Sequence, residues 1–343
     1  MAEELDELLQ FLCDDRPEVK KLAVDIVKGL TGSSDGLVKL QSKATTLLPL
    51  LLRLTNDDSR DVSEGSCAAL VNLSQDKDIV RKLLQFGVVD RVNDYIRENS
   101  CQHLGLLMML LSNVTQPEEG AKAMLQLGKG NLEGLHMARL MGLFFGRGAA
   151  DGAEDRMEHF AHVLTNVTQL PEGRKLLLAP GSGLLKAMIG QLDPKCSSTR
   201  RIGCANAIRN CLYSCRADGT LEHALEAEAS FPDLLRPISG EEPKEPEDSV
   251  RCAVAEAALM LAAEESGREA LLKHDAHMVL KKGYEFEECA EVCEAMERAA
   301  VIFMTKGEVE PDGEEAAGAG DPGQAAGDRE VECTVLPGGF SLG

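Results

Sequence analysis

The sequence of 343 residues contains no tryptophan, and only 3% of its residues are aromatic. Proteins that bind single-stranded nucleic acids stack the bases on aromatic side chains and neutralise the phosphates with Lys and Arg. This chain has 57 acidic against 36 basic residues, a formal net charge of −21. The composition therefore argues against a nucleic acid as ligand and favours a partner with a basic protein surface.

Long hydrophobic runs are also missing. The longest, residues 104–111, has eight residues, whereas a membrane-spanning helix needs about 20. The first residues, MAEELDELL, are acidic and amphipathic, unlike a signal peptide. The eleven cysteines lie in apolar helical patterns such as residues 202–212, which is typical of buried reduced thiols. We expect a soluble protein of the cytoplasm or nucleus, without a membrane partner.

The signatures of common enzymes are absent as well. The pattern Gly-x-Gly-x-x-Gly occurs at residues 318–323, but no strand precedes it and no helix follows it. Several His or Cys pairs are spaced to share a helix face, but none has a third metal ligand nearby. These pairs are His159 and His162, His274 and His277, Cys211 and Cys215, and Cys289 and Cys293. We therefore predict no enzymatic activity, no cofactor and no metal.

What the sequence does contain is an internal repeat. Four segments share an apolar helix with an Asn near its end, a turn rich in Gly or Asp, and a second amphipathic helix. The asparagines are Asn72, Asn113, Asn166 and Asn210, separated by 41, 53 and 44 residues. This is the period of armadillo and HEAT repeats. The longest step contains the Gly-rich charged segment 146–156, which predicts a surface loop.

Weaker copies flank these four, with Gly29 and Met260 at the Asn position. Together they predict an all-α, armadillo/HEAT-type right-handed helical solenoid of about six repeats over residues 1–306. Residues 238–249 would form an acidic loop inside it. Residues 307–343 contain nine glycines, nine acidic residues and one Arg, a composition that predicts a disordered tail.

The Asn positions also predict a binding surface. The last helix of an armadillo repeat lines the concave groove, where an Asn amide facing water can hold the backbone of an extended peptide. Side chains four positions earlier would lie beside each amide. The predicted partner-binding residues are Asn72, Met109, Asn113, His162, Asn166, Asn206 and Asn210. The alternative is that each Asn only ties its neighbouring turn. Three of the asparagines also match the glycosylation pattern Asn-x-Ser/Thr, but the repeat accounts for them without it.

Two stretches carry a resemblance beyond a generic solenoid: TRRIGCANAIRNCLYSC from Thr199, and EPEDSVRCAVAEAALMLAAEESGREALLKHDAHMVLKKGYEFEE from Glu245. Together they resemble the Hgh-type armadillo proteins. The resemblance implies a folding cofactor of translation elongation factor two that bridges this client to the cytosolic chaperonin and works with other chaperones. The chain departs from the family pattern in its short linker before Glu245 and in its Gly-rich tail.

The alternative armadillo function is nuclear import. Import adaptors grip basic peptides with a ladder of Trp placed four residues before each groove Asn. Those positions here hold Ala68, Met109, His162 and Asn206. Since the chain has no Trp, it cannot build this ladder, and we rank import below chaperone work.

Overall fold

The structure is a computed structural model, and it describes residues 2–98, 103–146 and 155–306. Throughout these ranges the regular secondary structure is helical, without strands, as the 3.6-residue periodicity of the apolar side chains predicts. Within the same ranges no helix is long and apolar enough to cross a membrane. The predicted tail, 307–343, and most of the predicted surface loop, 147–154, lie outside the described residues.

The helices in the first half of the chain are α1 (Ala2–Phe11), α2 (Pro17–Thr31), α3 (Ser34–Ser42), α4 (Ala44–Leu54), α5 (Arg60–Leu73), α6 (Lys77–Gln85), α7 (Val88–Arg97), α8 (Leu104–Val114), α9 (Glu118–Leu125), α10 (Leu135–Gly146) and α11 (Phe160–Val167). Those that follow are α12 (Pro171–Leu177), α13 (Leu184–Ile189), α14 (Ser198–Tyr213), α15 (Cys215–Asp218), α16 (Leu221–Leu225), α17 (Phe231–Leu235), α18 (Asp248–Ala263), α19 (Glu265–Leu272), α20 (Ala276–Tyr284) and α21 (Ala290–Lys306). Short 3₁₀ turns occupy Gly130–Leu132, Gly190–Leu192, Glu228–Ser230 and Arg236–Ile238.

One helix of each repeat packs against the corresponding helix of the next repeat. These inner helices are α2, α5, α8, α11, α14, α18 and α21. In the described parts of the chain, six repeats that each end in an inner helix follow the pair α1–α2, which confirms the armadillo-type solenoid. The last inner helix, α21, was not recognised as a repeat from the sequence, because it lacks the Asn phrase.

Inner helices such as α5, α14 and α18 are buried on several sides, so their amphipathic pattern is weak. In α5, eleven of fourteen residues are buried, from Val62 to Leu73 with only Glu64 exposed. Buried apolar side chains continue from the first repeat to the last as one core. Each repeat therefore covers a face that its neighbour could not bury alone.

Glycine sets the close approach between four of the inner helices, α2, α8, α11 and α18, and the helix that follows each of them. A Cβ at Gly120 would lie 1.8 Å from the carbonyl oxygen of Val114, and one at Gly173 would lie 2.0 Å from that of Val167. Gly36 and Gly267 meet the ends of α2 and α18 in the same way. Only glycine fits these four positions, which fixes the turn after the inner helix.

Between α17 and α18 the predicted acidic loop 238–249 is shorter than expected, because Ile238 ends a 3₁₀ turn and Asp248 already begins α18. Residues 241–244 are exposed. Glu245 is only 6% exposed, which the sequence did not indicate. A buried carboxylate requires a partner, and this partner comes from α14.

Candidate functional site

The four repeat asparagines lie near the C-terminal ends of α5, α8, α11 and α14, as the sequence predicts. Their relative exposures are 6% for Asn72, 1% for Asn113, 6% for Asn166 and 9% for Asn210. The expectation that these amides face water is therefore wrong. Each side chain lies between two consecutive inner helices, where a polar group needs a protein partner.

Each amide donates to the inner helix of the preceding repeat. Its acceptor is the hydroxyl two residues after that repeat's own Asn position. The Nδ2–Oγ pairs are Asn72–Thr31 (2.9 Å), Asn113–Ser74 (2.9 Å), Asn166–Thr115 (3.0 Å) and Asn210–Thr168 (3.1 Å). The hydroxyls themselves donate back into their own helices, as Thr115 does to the carbonyl oxygen of Leu111 at 2.7 Å. We call this series the amide ladder.

The amide ladder explains the glycosylation-like patterns. In each Asn-x-Ser/Thr segment, the Asn amide donates a hydrogen bond to the preceding repeat. The hydroxyl two positions later accepts a hydrogen bond from the Asn amide of the following repeat. Both residue types are needed at this spacing because an unpaired buried donor is costly. The asparagines thus tie neighbouring repeats rather than neighbouring turns, and their contact with a partner stays a prediction.

The amide ladder ends after Asn210. The next hydroxyl position holds Leu212, which is 1% exposed, and the next Asn position holds the half-buried Met260. At this step a pair of apolar side chains replaces the amide and the hydroxyl. A different interaction joins the last repeats.

The two motifs that carry the family resemblance contact each other. Arg201, from Arg-Arg-x-Gly, donates to Glu245, the start of Glu-Pro-Glu-Asp, with Nε–Oε2 at 2.7 Å and Nη2–Oε1 at 3.1 Å. Their side chains are only 7% and 2% exposed. In the next repeat, Arg251 makes the same bidentate contact with Glu287, at 2.7 and 3.0 Å. We call these two contacts the C-terminal ion pairs.

The other positions of Arg-Arg-x-Gly make contacts within the fold too. Arg200 donates to both carboxylate oxygens of Asp155 at 2.6 and 3.0 Å, and its guanidinium lies 3.8 Å from the ring centroid of Phe144. Burial is the largest single influence and raises the pKa of Asp155, but the hydrogen bond and the charge of Arg200, with the backbone N–H of Met157, together lower the pKa overall. A Cβ at Gly203 would lie 2.5 Å from Ala161. The motif therefore positions α14 and leaves partner binding to other residues.

The remaining predicted site residues differ in accessibility. Met109 and His162 are half-buried, whereas Asn206 is 7% exposed and donates to the carbonyl oxygen of Ile202 in its own helix at 2.9 Å. Met109 and His162 therefore keep part of their surface exposed, and their contact with a partner stays a prediction. The Asn206 amide donor is occupied within α14.

The paired histidines form no metal centre in the described parts of the chain, where no cluster of three His, Cys, Asp or Glu side chains could hold an ion. His159 and His162 stack with ring centroids 6.3 Å apart. Burial lowers the pKa of His162 to about 4, with a smaller contribution from His159. Burial likewise lowers the pKa of His159. Both rings are therefore neutral near pH 7.

An open groove of about 720 Å³ crosses α2, α5 and α8 at the N-terminal end of the array. Its lining residues are Lys21, Asp25, Lys28, Arg60, Asp61, Glu64, Gly65, Ala68, His103, Gly105, Leu106, Met109 and Arg156. We call it the N-terminal groove. Among the predicted site residues it contains Met109 alone. The charged residues of α2 and α5 are the sequence feature that could have indicated this groove. The prediction instead followed the Asn pattern, whose residues lie mostly in later repeats.

Comparison with known proteins identifies the family. The family model described as a domain of unknown function, DUF383, matches residues 95–270, which is more than half of the chain. An HGH1 homolog of Dictyostelium discoideum is 24% identical over 91% of this chain and 94% of its own length. An HGH1 homolog of Danio rerio is 27% identical, covering 86% of this chain and 83% of its own length.

Among solved structures, an engineered protein aligns with a TM-score of 0.54 at 15% identity, over 85% of this chain and 76% of its own. A computationally designed armadillo repeat protein for modular peptide recognition aligns with a TM-score of 0.45 at 16% identity, over 86% of this chain and 98% of its own. The first of these likenesses supports the fold. With its repeat architecture and the paired motifs of α14 and α18, the chain belongs to the DUF383 family, the armadillo-type family of the HGH1 proteins.

Proposed function

We propose that this protein is a non-catalytic chaperone adaptor that binds translation elongation factor two during folding and bridges it to the cytosolic chaperonin. The family resemblance suggests this client and this chaperonin. The adaptor would work in the cytoplasm, where the client is made. Its partners would contact the surface of the solenoid, since this fold presents extended concave surfaces to proteins and peptides.

The observation that supports the proposal is the open inner surface of the array. The N-terminal groove is open, has a volume of about 720 Å³, and is lined in part by the half-buried Leu106 and Met109. Further along, His162 is half-buried on α11, and Tyr213 at the end of α14 is 56% exposed. Aromatic and Met side chains are enriched at protein interfaces, so this surface suits a protein client.

The test compares client binding by the wild type and two matched variants. The groove variant, Leu106→Gln with Met109→Gln, makes the groove lining polar. The control variant, Leu132→Gln with Leu135→Gln, introduces the same two substitutions outside the groove, where Leu132 and Leu135 are 48% and 44% exposed. We expect the groove variant to bind elongation factor two at least tenfold more weakly, about 1.4 kcal/mol. The control variant should bind as the wild type does. Equal melting temperatures exclude misfolding.

A second arm identifies the partners without assuming them. Crosslinking followed by affinity purification from cytosol should recover elongation factor two together with chaperonin subunits. Recovery of karyopherins and nuclear pore components instead would favour the import alternative. Purified elongation factor two that shows no binding to the wild type, in folded or chaperonin-bound form, would overturn the proposal.

A further inference from the structure

The first inner helix, α2, has no inner helix before it in the described part of the chain. On α5, α8, α11 and α14, one face packs against the preceding inner helix, and the Asn amide belongs to this face. The position seven residues earlier belongs to it as well, since a Cβ at Gly65 would lie 2.6 Å from Val24 of α2, and one at Gly203 would lie 2.5 Å from Ala161 of α11. Helix positions three and four residues apart share a face, so the residue three before each Asn completes it.

This face is covered on the later inner helices and open on α2. The residues three before each Asn are all 0% exposed: Ala69, Leu110, Val163 and Ala207. The corresponding residue of α2 is Ile26, which is 44% exposed, and the residue seven before Gly29 is Leu22, which is 63% exposed. The outer face of an end repeat is ordinarily polar, because it meets water. Two large apolar side chains at these positions therefore indicate a contact surface.

A cleft of about 250 Å³ continues this apolar face between α1, α2 and α3. Phe11 in its lining is 40% exposed, and one carboxylate and one ammonium group, those of Glu4 and Lys39, border it. Its apolar lining residues are Leu5, Leu8, Phe11, Ile26 and Leu30. We call this cleft together with Leu22 the N-terminal end surface. A contiguous apolar surface of this kind marks an interaction site more often than scattered exposed side chains do.

The repeat interface shows which occupant fits the N-terminal end surface. On α5, α8, α11 and α14 the same face is covered by a helix, the inner helix of the preceding repeat. On α2 the Asn position holds the exposed Gly29, which carries no amide and has open space beside it. The occupant therefore needs no hydroxyl at this point, unlike α2 itself, whose Thr31 accepts from Asn72. An amphipathic helix with apolar side chains three and four residues apart meets these conditions.

Two sources of such a helix are disfavoured by the sequence. A second copy of the chain would bring another formal charge of −21 to the contact, and a net charge this far from zero favours the monomer. The segment that follows α21, residues 307–343, contains nine glycines and the sequence Pro-Gly-Gly at 337–339. Gly and Pro are the poorest helix formers. The helix is therefore expected from another protein.

We infer that the N-terminal end surface binds an amphipathic helix of a partner protein. The helix packs on Leu22 and Ile26 as each inner helix packs on the next, and it places an apolar side chain into the cleft beside Phe11. The inference goes beyond the proposed function, because it does not depend on which protein supplies the helix. It is also separate from the N-terminal groove, whose lining residues on α2 are the charged Lys21, Asp25 and Lys28.

The experiment uses two synthetic peptides and two variants of the full chain. The amphipathic peptide has three Leu-Lys-Ala-Leu-Glu-Glu-Lys units with a fluorescein label, and it is kept at nanomolar concentration so that it does not pair with itself. The second peptide has the same residues in an order that distributes the leucines around the helix. Both have equal numbers of Lys and Glu, so net charge does not separate them. The end-surface variant is Leu22→Gln with Ile26→Gln, and the control variant is again Leu132→Gln with Leu135→Gln, at exposed positions elsewhere.

Fluorescence anisotropy should show that the wild type binds the amphipathic peptide more tightly than the reordered one. The end-surface variant should bind the amphipathic peptide about tenfold more weakly, and the control variant should stay within about twofold. Equal melting temperatures of the variants exclude misfolding. Equal binding of the two peptides, no binding of the amphipathic peptide, or equal loss in both variants would overturn the inference. Light scattering that shows a wild-type dimer, dissociated by Leu22→Gln with Ile26→Gln, would overturn it too, because the occupant would then be a second copy of the chain.

Discussion

The two halves of the array join consecutive repeats with different chemistry. From α2 to α14, the C-terminal ends of the inner helices are connected by the amide ladder. From α14 to α21, the N-terminal ends are connected by the C-terminal ion pairs, Arg201–Glu245 and Arg251–Glu287. Both sets bridge residues 36 to 51 positions apart in sequence.

The amide ladder pairs buried polar groups of neighbouring repeats without charge, whereas the ion pairs do so with charge, and both occur between the repeats that end in α11 and α14, where Arg200 also pairs with Asp155. An amide donating to a hydroxyl contributes only about 1 kcal/mol net, and its removal leaves neutral groups behind. A buried ion pair contributes little net stability over an apolar pair, but loss of one partner leaves a buried charge uncompensated. A single substitution in one of the C-terminal ion pairs should therefore cost more stability than one in the amide ladder.

The largest expected effect is that of Glu245→Gln. This change leaves the guanidinium of Arg201 buried without its carboxylate, and we expect a loss of about 3–5 kcal/mol in the free energy of unfolding. Urea denaturation followed by circular dichroism measures it. The control is Glu241→Gln in the same loop. The side chain of Glu241 is 60% exposed and pairs with Lys282, so this substitution should lower the free energy of unfolding by at most about 1 kcal/mol. Equal losses of stability in the two variants would show that any substitution in this loop destabilises the protein, whether or not it leaves a buried charge.

The next largest effect is the loss of folding stability at acidic pH, which we expect from protonation of His162 in the centre of the array. The pKa of His162 is lowered to about 4 in the folded protein, so the unfolded chain binds its proton first. Stability is then complete above about pH 6.5 and falls as the pH drops towards 4, by about 2 kcal/mol between pH 6.5 and 4.5. His162→Gln should flatten this dependence in urea titrations. If His162→Gln left the dependence of the free energy of unfolding on pH unchanged, other titratable groups would be responsible for the acid sensitivity.

Asn166→Ala tests the amide ladder itself. It removes donors to the hydroxyl of Thr115 and the carbonyl oxygen of Ser112, and we expect a loss of about 1–3 kcal/mol. Asn206→Ala is the matched control, since this side chain is 7% exposed but bonds only within its own helix. In urea denaturation, we expect Asn166→Ala to lower the free energy of unfolding more than Asn206→Ala does. A larger loss for Asn206 would mean that the contact across repeats adds no stability.

The smallest effect comes from extending the amide ladder by one step. Leu212→Thr and Met260→Asn together would supply the missing hydroxyl and amide between α14 and α18. Each single change should destabilise the protein, because Leu212 is buried and packs in the core. A double-mutant cycle should give a favourable coupling of about 1 kcal/mol between them. Zero coupling would show that the geometry of the ladder does not continue into this half.

The sequence was informative wherever a pattern repeated locally. It placed four inner helices through their asparagines, and it placed the end copies at Gly29 and Met260. It did not identify α21 as an inner helix, because no Asn phrase marks it, and only its packing against α18 assigns it to the series. Met109 was predicted at the inner surface and lines the N-terminal groove, whereas the groove itself needs three helices that are far apart in sequence.

Sequence alone determined the helical repeat, its period and the residue types at the end of each inner helix, since a 3.6-residue periodicity and a turn are local properties. Tertiary structure decided where those residues point. The amide of Asn113 could have faced water, a neighbouring turn or the preceding repeat, and packing between α5 and α8 selected the last. In the same way, Arg201 and Glu245 are 44 residues apart, and only the stacking of repeats brings their charges together. A contact between groups so far apart depends on the fold of everything between them, which no local pattern records.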